Sequence, residues 1–409
     1  MLRASLTLMA GSALAQAVPL LLGPWLTRLY SPEQWGVYTA FATAAAVVAA
    51  VACARYEFAL PLAPDEATAL ALLRVCLRIF LVVVVVCVLA TTGWQWAEDS
   101  EVWSWWPLAV AALAAVQVLS MWATRQERFQ ALAGSRFVQH GGGAVLQWLA
   151  GLAGMGLVGL VLGPALAALA ACCVLATRPP AGGWWQLTRS PSTGPDLVAV
   201  ARQYRQFPLL NTPHAFLGAL QDAVVVALLV AWSGEVAAGL WGLALRYLKA
   251  PATWVGGAVS QVLYPRLCRS TPHEARTLVR QTVTVLTAAA IVLASGVMVV
   301  GPTLFAWAFG EPWREAGELA RALGPYLAAH FVASPLAVVT MAWGAQAWAL
   351  RVAVVGQVAF LAATAAGLWF GGLQAAGWCI SAVMVVYFSF YVFMLMRWKT
   401  IPHAVVNAS

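Results

Sequence analysis

Two cations stand three residues apart in an otherwise apolar stretch, Arg246 and Lys249 in GLWGLALRYLKAPATWVGG (239–257). Residues at that spacing share a helix face, so a helix here presents two positive charges side by side. The apolar stretch before it carries Asn211, His214, Gly218, Gln221 and Asp222, a polar stripe at helical spacing with Asp222 near its centre. If the two helices adjoin, one carboxylate, one imidazole and two amides face two cations. One carboxylate neutralises one cation at most, so a positive surplus remains that suits an anion. Asp222 and His214 are also the candidates for ion or proton coupling. The alternative is that Asp222 pairs with Arg246 or Lys249 and only locks two helices together.

Earlier in the chain, Arg55 and Glu57 lie in ARYEFAL (54–60), and Arg28 closes the first apolar stretch. Arg55 and Arg28 are further cationic candidates, with interfacial snorkelling or local pairing as the plain alternative. Gln16 adds a polar lining group in the first stretch. His140, Gln117, Gln147, His330, Ser334 and Gln357 are isolated polar residues of the kind that more often joins helix to helix than binds a ligand.

The elements that must position these groups follow from composition. Of the 409 residues, 62% are hydrophobic and 9% charged, against about 25% charged in ordinary soluble domains. Apolar runs of about 20 residues recur, each long enough to cross a hydrocarbon core as a helix. The expected fold is an all-α polytopic membrane protein with about twelve transmembrane helices, at roughly 4–28, 35–58, 71–92, 104–124, 138–157, 159–177, 207–231, 236–262, 280–308, 317–342, 346–369 and 374–396. The Gly-rich run GLAGMGLVGLVLG (151–163) must then act as a tight hairpin.

Basic residues should gather on cytoplasmic loops. With the N-terminus inside, only Arg28, Arg314 and Arg321 fall outside among 23 Lys and Arg, while Glu98, Asp99, Glu101, Glu311, Glu315 and Glu318 are external. An even number of spans with both termini cytoplasmic fits that distribution. The net charge of +8 therefore reflects topology, and no nucleic-acid partner is expected. SALAQ (12–16) looks like a signal-peptidase site, but the apolar run continues through Leu20, Leu21 and Leu22, so an intact span is expected. The seven Cys avoid external loops and the five His are scattered, so neither a disulfide framework nor a metal site is expected. No phosphate-binding GxxxxGK[ST] loop occurs, and no cofactor is expected.

The longest hydrophilic segment, 178–206, is rich in Pro, Gly, Ser and Arg. It reads as a cytoplasmic linker between an N-terminal six-helix lobe (1–177) and a C-terminal one (207–409). It is either an ordered connection or a set of short helices on the membrane surface. LTRLYSPEQWGVYTAF (26–41) has a positional counterpart in AWSGEVAAGLWGLALR (231–246), where a duplicated fold would place it. Units of six spans would be related by a pseudo-two-fold axis along the membrane normal.

Four stretches, residues 11–41, 55–70, 203–220 and 233–267, together resemble the Wzx-type oligosaccharide flippases of bacterial O-antigen and capsule synthesis. That family shares its fold group with the MATE exporters and the peptidoglycan-precursor flippase. The resemblance implies two six-helix lobes around a central cationic cavity and no enzymatic activity. It implies transfer of an undecaprenyl-diphosphate-linked oligosaccharide from the cytoplasmic to the periplasmic leaflet of the bacterial inner membrane by alternating access. Arg246 and Lys249 would meet the diphosphate, with Arg55 or Arg28 as first-lobe counterparts, and Asn211, His214, Gln221 and Gln16 would line the cavity. Membrane lipids and other polysaccharide-assembly proteins are the further partners implied. Two alternatives are a MATE-like cation-coupled exporter, which would want an acid without surplus cations, and a membrane enzyme of polysaccharide assembly, which would want a longer external loop than any here.

Overall fold

The computed structural model describes residues 2–95, 101–180, 183–187 and 196–398, with side chains described except at 2–14, 94–95, 185–186 and 214. Glu98 and Asp99 lie outside the described residues, as do 181–182 and 188–195 of the 178–206 segment. All regular structure among the described residues is helical, and eight stretches are long and apolar enough to cross a membrane. Hydrocarbon offers backbone groups no partner, so a spanning chain must satisfy them within itself. Two compact units result, Met1–Val226 and Ala227–Ser409.

The first unit contains α1 (Leu2–Leu29), α2 (Pro32–Val51), α3 (Glu66–Gln95), α4 (Trp106–Arg125), α5 (Phe129–Arg136), α6 (Gly143–Leu152), α7 (Gly156–Leu175), α8 (Leu197–Gln203) and the beginning of α9 (Thr212–Arg269). A π-helical turn, Phe137–Gly142, joins α5 to α6. Between α1 and α2, Ser31 caps the second helix. Its hydroxyl accepts from the Gln34 amide, the Gln34 side chain accepts from the Ser31 amide, and Pro32 occupies the first helical turn. Tyr30, just before the cap, is buried and donates its hydroxyl to the Gln147 carbonyl at 2.7 Å, while the Gln147 amide donates to the Leu160 carbonyl at 2.8 Å. Gln147 is thus helix glue. The Gly-rich hairpin turns at Ala153–Met155, where Gly154 (φ 72°) takes a left-handed conformation.

The second expected span ends earlier than the hydropathy suggests. α2 stops at Val51, because the chain turns through left-handed backbone at Ala54 (φ 49°) and Arg55 (φ 60°) into a 3-10 helix, Tyr56–Leu62. Arg55 and Glu57 therefore sit in a connection and not in a span. α3 starts earlier than expected, at Glu66, and holds Arg74 and Arg78 in its first half. Its Leu81, Val82, Val85, Val86 and Leu89 are exposed along one face, a lipid-facing stripe, while Leu72, Leu73 and Cys76 are buried.

The second unit continues α9 and adds α10 (Pro272–Phe309), α11 (Arg314–Ala333), α12 (Ala337–Ala342) and α13 (Gln346–Met396). The expected spans 207–231 and 236–262 form a single element broken at Gly234 (φ 81°, ψ 175°), and those at 346–369 and 374–396 form one broken at Gly371 and Gly372 (φ 73° at the latter). The expected counterpart of the Ser31 turn, at Ser233, is thus a glycine break. Its chemical twin is Thr271, which caps α10 with Pro272 in the first turn and Glu274 closing the box.

α10 and α11 meet at backbone contact. A Cβ on Gly317 would lie 2.5 Å from Pro302 Cα, and one on Gly324 2.9 Å from Met298 Cγ. Between them Arg321 Nε donates to the Met298 carbonyl at 2.9 Å. Small residues permit the close approach that dispersion needs where lipid tails are as apolar as the helix. We expect Gly317→Ala to destabilise the purified protein by about 1–3 kcal/mol, read as a lower unfolding temperature in detergent. Gly296→Ala, which meets nothing within 4 Å, should leave that temperature nearly unchanged.

Candidate functional site

Each unit gathers a polar cluster. In the first, Glu57 is 2% exposed, and its Oε1 accepts from Gln117 Nε2 on α4 at 2.9 Å. The left-handed turn at Arg55 brings its Nη1 to 3.8 Å from the same oxygen, an ion pair too long to hydrogen-bond. The guanidinium lies over the Phe58 ring at 5.0 Å from the centroid. Glu57 Oε2 and Arg55 Nε are buried without hydrogen-bond partners. Burial raises the Glu57 pKa above its ordinary value, opposed by a hydrogen bond from its own backbone amide and by the Arg55 charge.

The surrounding connection is held by α4 and by the segment that leads to α9. Arg125 donates to the carbonyls of Leu60, Ala63 and Asp65 at 3.1, 2.5 and 3.1 Å. Tyr56 donates its hydroxyl to the Ala201 carbonyl of α8 at 3.1 Å, and Val200 is buried in the same core. Trp184 anchors the middle of that segment, its indole donating to the Ala176 carbonyl at 2.9 Å and its ring packing edge-on to Trp122. Beneath it a cavity of about 210 Å³ is lined by Leu73, Cys76, Phe80, Val118, Trp184 and Leu187.

In the second unit, Arg246 and Lys249 lie on neighbouring turns of α9 and are half-buried. Within that unit no carboxylate pairs with Lys249 among the described residues. A Cβ on Gly256 would lie 3.5 Å from Ser334 Oγ. Lys249 precedes Gly256 on one face of α9, and His330 precedes Ser334 by one turn at the end of α11, so these two faces pack together. His330 packs against Tyr326 and Phe388, with ring centroids 5.9 and 5.6 Å away, and its Nδ1 is buried without a partner. Tyr326 continues the aromatic wall to Phe360 at 5.7 Å, and Phe360 to Trp241 at 6.3 Å. Ser381 of α13 fixes this side of α11: its hydroxyl donates to the Ala322 carbonyl at 2.5 Å and accepts from the Tyr326 amide at 3.4 Å. Ala322, Tyr326 and His330 recur every four residues, opposite Ser381 and Phe388 seven apart, so one face of each helix builds the wall.

The other sequence candidates are spread along the first unit. Asn211, at the end of the π-helical turn Phe207–Asn211, is exposed, and on the early part of α9 Asp222 is exposed and Gln221 half-buried; the Asp222 side chain makes no hydrogen bond or ion pair among the described residues. The His214 side chain lies outside the described residues. Gln16 and Arg28 are exposed on α1. Arg28 and Arg55 flank α2, whose 20 residues rise about 1.5 Å each. About 30 Å therefore separates them, and they cannot grip one diphosphate together. Sequence reading passed over Glu57 as more than a local partner of Arg55, and took His330 for helix glue. The only signal for His330 was its spacing from Tyr326 and Ser334.

The chain matches the family described as "Polysaccharide biosynthesis protein" over residues 25–318, well over half its length. No curated protein matches it. Among solved structures, it is similar to the inward-facing conformation of a multidrug resistance MATE family transporter of the MOP superfamily, with 14% identity, TM-score 0.64, and 94% of this chain and 96% of the other covered. A MOP superfamily transporter from Pyrococcus furiosus, described as having a binding pocket of reverse polarity that suggests a different function, aligns with 13% identity and TM-score 0.60 over 96% of this chain and 94% of that one. At these identities the likeness establishes the fold.

The buried Glu57 has a consequence for stability. Its folded pKa is raised, so the folded state holds the proton more tightly than the unfolded chain, and stability falls as pH rises through the interval above the ordinary value of 4.5. The unfolding temperature should decline as pH rises above the ordinary carboxyl range, and Glu57→Gln, which keeps the shape and the Gln117 contact, should flatten that decline.

Proposed function

Since the chain belongs to the polysaccharide biosynthesis protein family, we propose that it is a flippase that carries an oligosaccharide, joined through a diphosphate to undecaprenol, from the cytoplasmic to the periplasmic leaflet of the bacterial inner membrane. The observation that carries this reading is Lys249, half-buried on a membrane helix beside Arg246, with no carboxylate partner in its own unit among the described residues. Charged groups at that depth are costly and mark a transport pathway. A diphosphate is the anion that a carrier-linked sugar brings. The fold accommodates pockets of differing polarity, as the description of the Pyrococcus furiosus transporter states for that protein.

In this reading the chain forms two six-helix lobes, 1–177 and 207–409, joined by the 178–206 linker with both termini cytoplasmic, and rocking of the lobes exposes the cavity to either side. Arg246 and Lys249 hold the diphosphate while the polyprenyl tail stays in lipid. Arg55 serves the cytoplasmic-facing state and Arg28 the external one, in keeping with their separation. Outward movement of about two negative charges against an inside-negative potential gains about 4–5 kcal/mol per 100 mV. That term alone can bias the direction of transport.

Replacing Arg246 and Lys249 by Ala together should lower surface polysaccharide at least about tenfold, since each charge-assisted contact contributes about 1.5–3 kcal/mol, and lipid-linked precursor should accumulate in the inner leaflet. Unchanged polysaccharide without accumulation would sink the cationic site. Asp222→Asn should slow flipping only if Asp222 couples transport to an ion; normal flipping removes it from that role.

A further inference from the structure

We propose that Lys249 and His330 together form a phosphoryl-oxyanion site within the second unit, and that an anion binding there draws a proton onto the His330 imidazole. The proposal rests on the carrier-lipid reading above and adds a residue and a proton to it.

The geometry singles out His330 among the polar residues of the unit. Tyr326 and Phe388 hold the imidazole from two helices, so its orientation is set by packing and not by a hydrogen bond. Its Nδ1 is buried and unpartnered. An imidazole kept only as glue between helices would use that nitrogen on a neighbouring carbonyl. The ring itself is not fully enclosed, which leaves an edge open to a ligand. Ser381 reinforces the wall by bridging the Ala322 carbonyl and the Tyr326 amide one turn away.

The titratable groups near His330 lie on three helices. α9 supplies Lys249, on the stretch whose Ala252 shares a buried core with Phe331, the residue after His330. α11 supplies Tyr326, and α13 supplies Tyr387, which donates its hydroxyl to the Val352 carbonyl at 3.1 Å. No carboxylate of this unit pairs with Lys249 or His330 among the described residues. A second positive charge beside Lys249 is therefore favoured only when an anion sits between them. A phosphoryl group does so: Lys249 neutralises one oxygen, and the imidazole, protonated from bulk solvent, hydrogen-bonds to another while keeping its proton. One O–H bond of a hydronium breaks as the N–H forms, and the proton returns to solvent when the anion leaves. Half-burial strengthens these charge-assisted contacts relative to a solvated surface.

The test uses the full chain in nanodiscs, titrated with undecaprenyl diphosphate at about pH 6 and 8, on either side of the ordinary histidine value. Calorimetry in two buffers of different ionisation heat counts the protons. The wild type should bind more tightly at the lower pH and take up part of a proton. His330→Gln, confirmed folded by its elution profile, should lose the proton uptake and bind about tenfold more weakly at the lower pH. Lys249→Ala should weaken binding at both. Inorganic pyrophosphate should show the same pH dependence at lower affinity. A pH dependence seen equally with undecaprenol, which has no phosphate, would overturn the site. So would His330→Gln retaining wild-type proton uptake, and in that case the carrier-lipid reading would stand. Failure of the wild type to bind undecaprenyl diphosphate at either pH would instead remove the carrier-lipid reading itself.

Discussion

Hydrocarbon cannot hydrogen-bond to a peptide group, and the organisation of this protein follows from that constraint. Helices satisfy their own backbone along the spans, so every interruption needs its own solution. At Ser31 and Thr271 a capping box supplies the missing partners. At Gly234 and Gly372 glycine permits backbone that other residues resist. Between α2 and α3, where the chain leaves regular helix for longer, Arg125 turns one guanidinium to three carbonyls. A basic residue that charge counting assigns to membrane topology thus also completes the backbone.

The same absence of water governs the ionisable groups. In the first unit Glu57 is covered by Gln117, Arg55 and the 3-10 turn, and the cluster closes beneath a segment anchored by Tyr56 and Trp184. The described parts of the connection toward α9, Trp184 and α8, pack on the core of the first unit. In the second unit Lys249 lies on the stretch of α9 that packs against α11 beside His330, and no carboxylate of that unit pairs with either among the described residues. One unit has neutralised its buried charge internally. The other leaves Lys249 without a carboxylate partner in its own unit among the described residues.

Composition and periodicity made the all-helical membrane architecture legible, because a 62% hydrophobic chain has few other ways to satisfy its backbone. Ser31, Pro32 and Gln34 likewise announce a helix start by type and spacing, and Arg246 and Lys249 a cationic face. Such features are local, and local spacing decides them. The end of α2, the breaks at Gly234 and Gly372, the burial of Glu57 against Gln117 and the packing of His330 between Tyr326 and Phe388 were decided by tertiary structure alone. Hydropathy cannot distinguish an apolar residue in a span from one in a buried turn, and groups 60 or more residues apart meet only when helices pack. For Glu57 and His330 the physical content lies in which neighbours are absent as much as in which are present, and one-dimensional order carries no record of that.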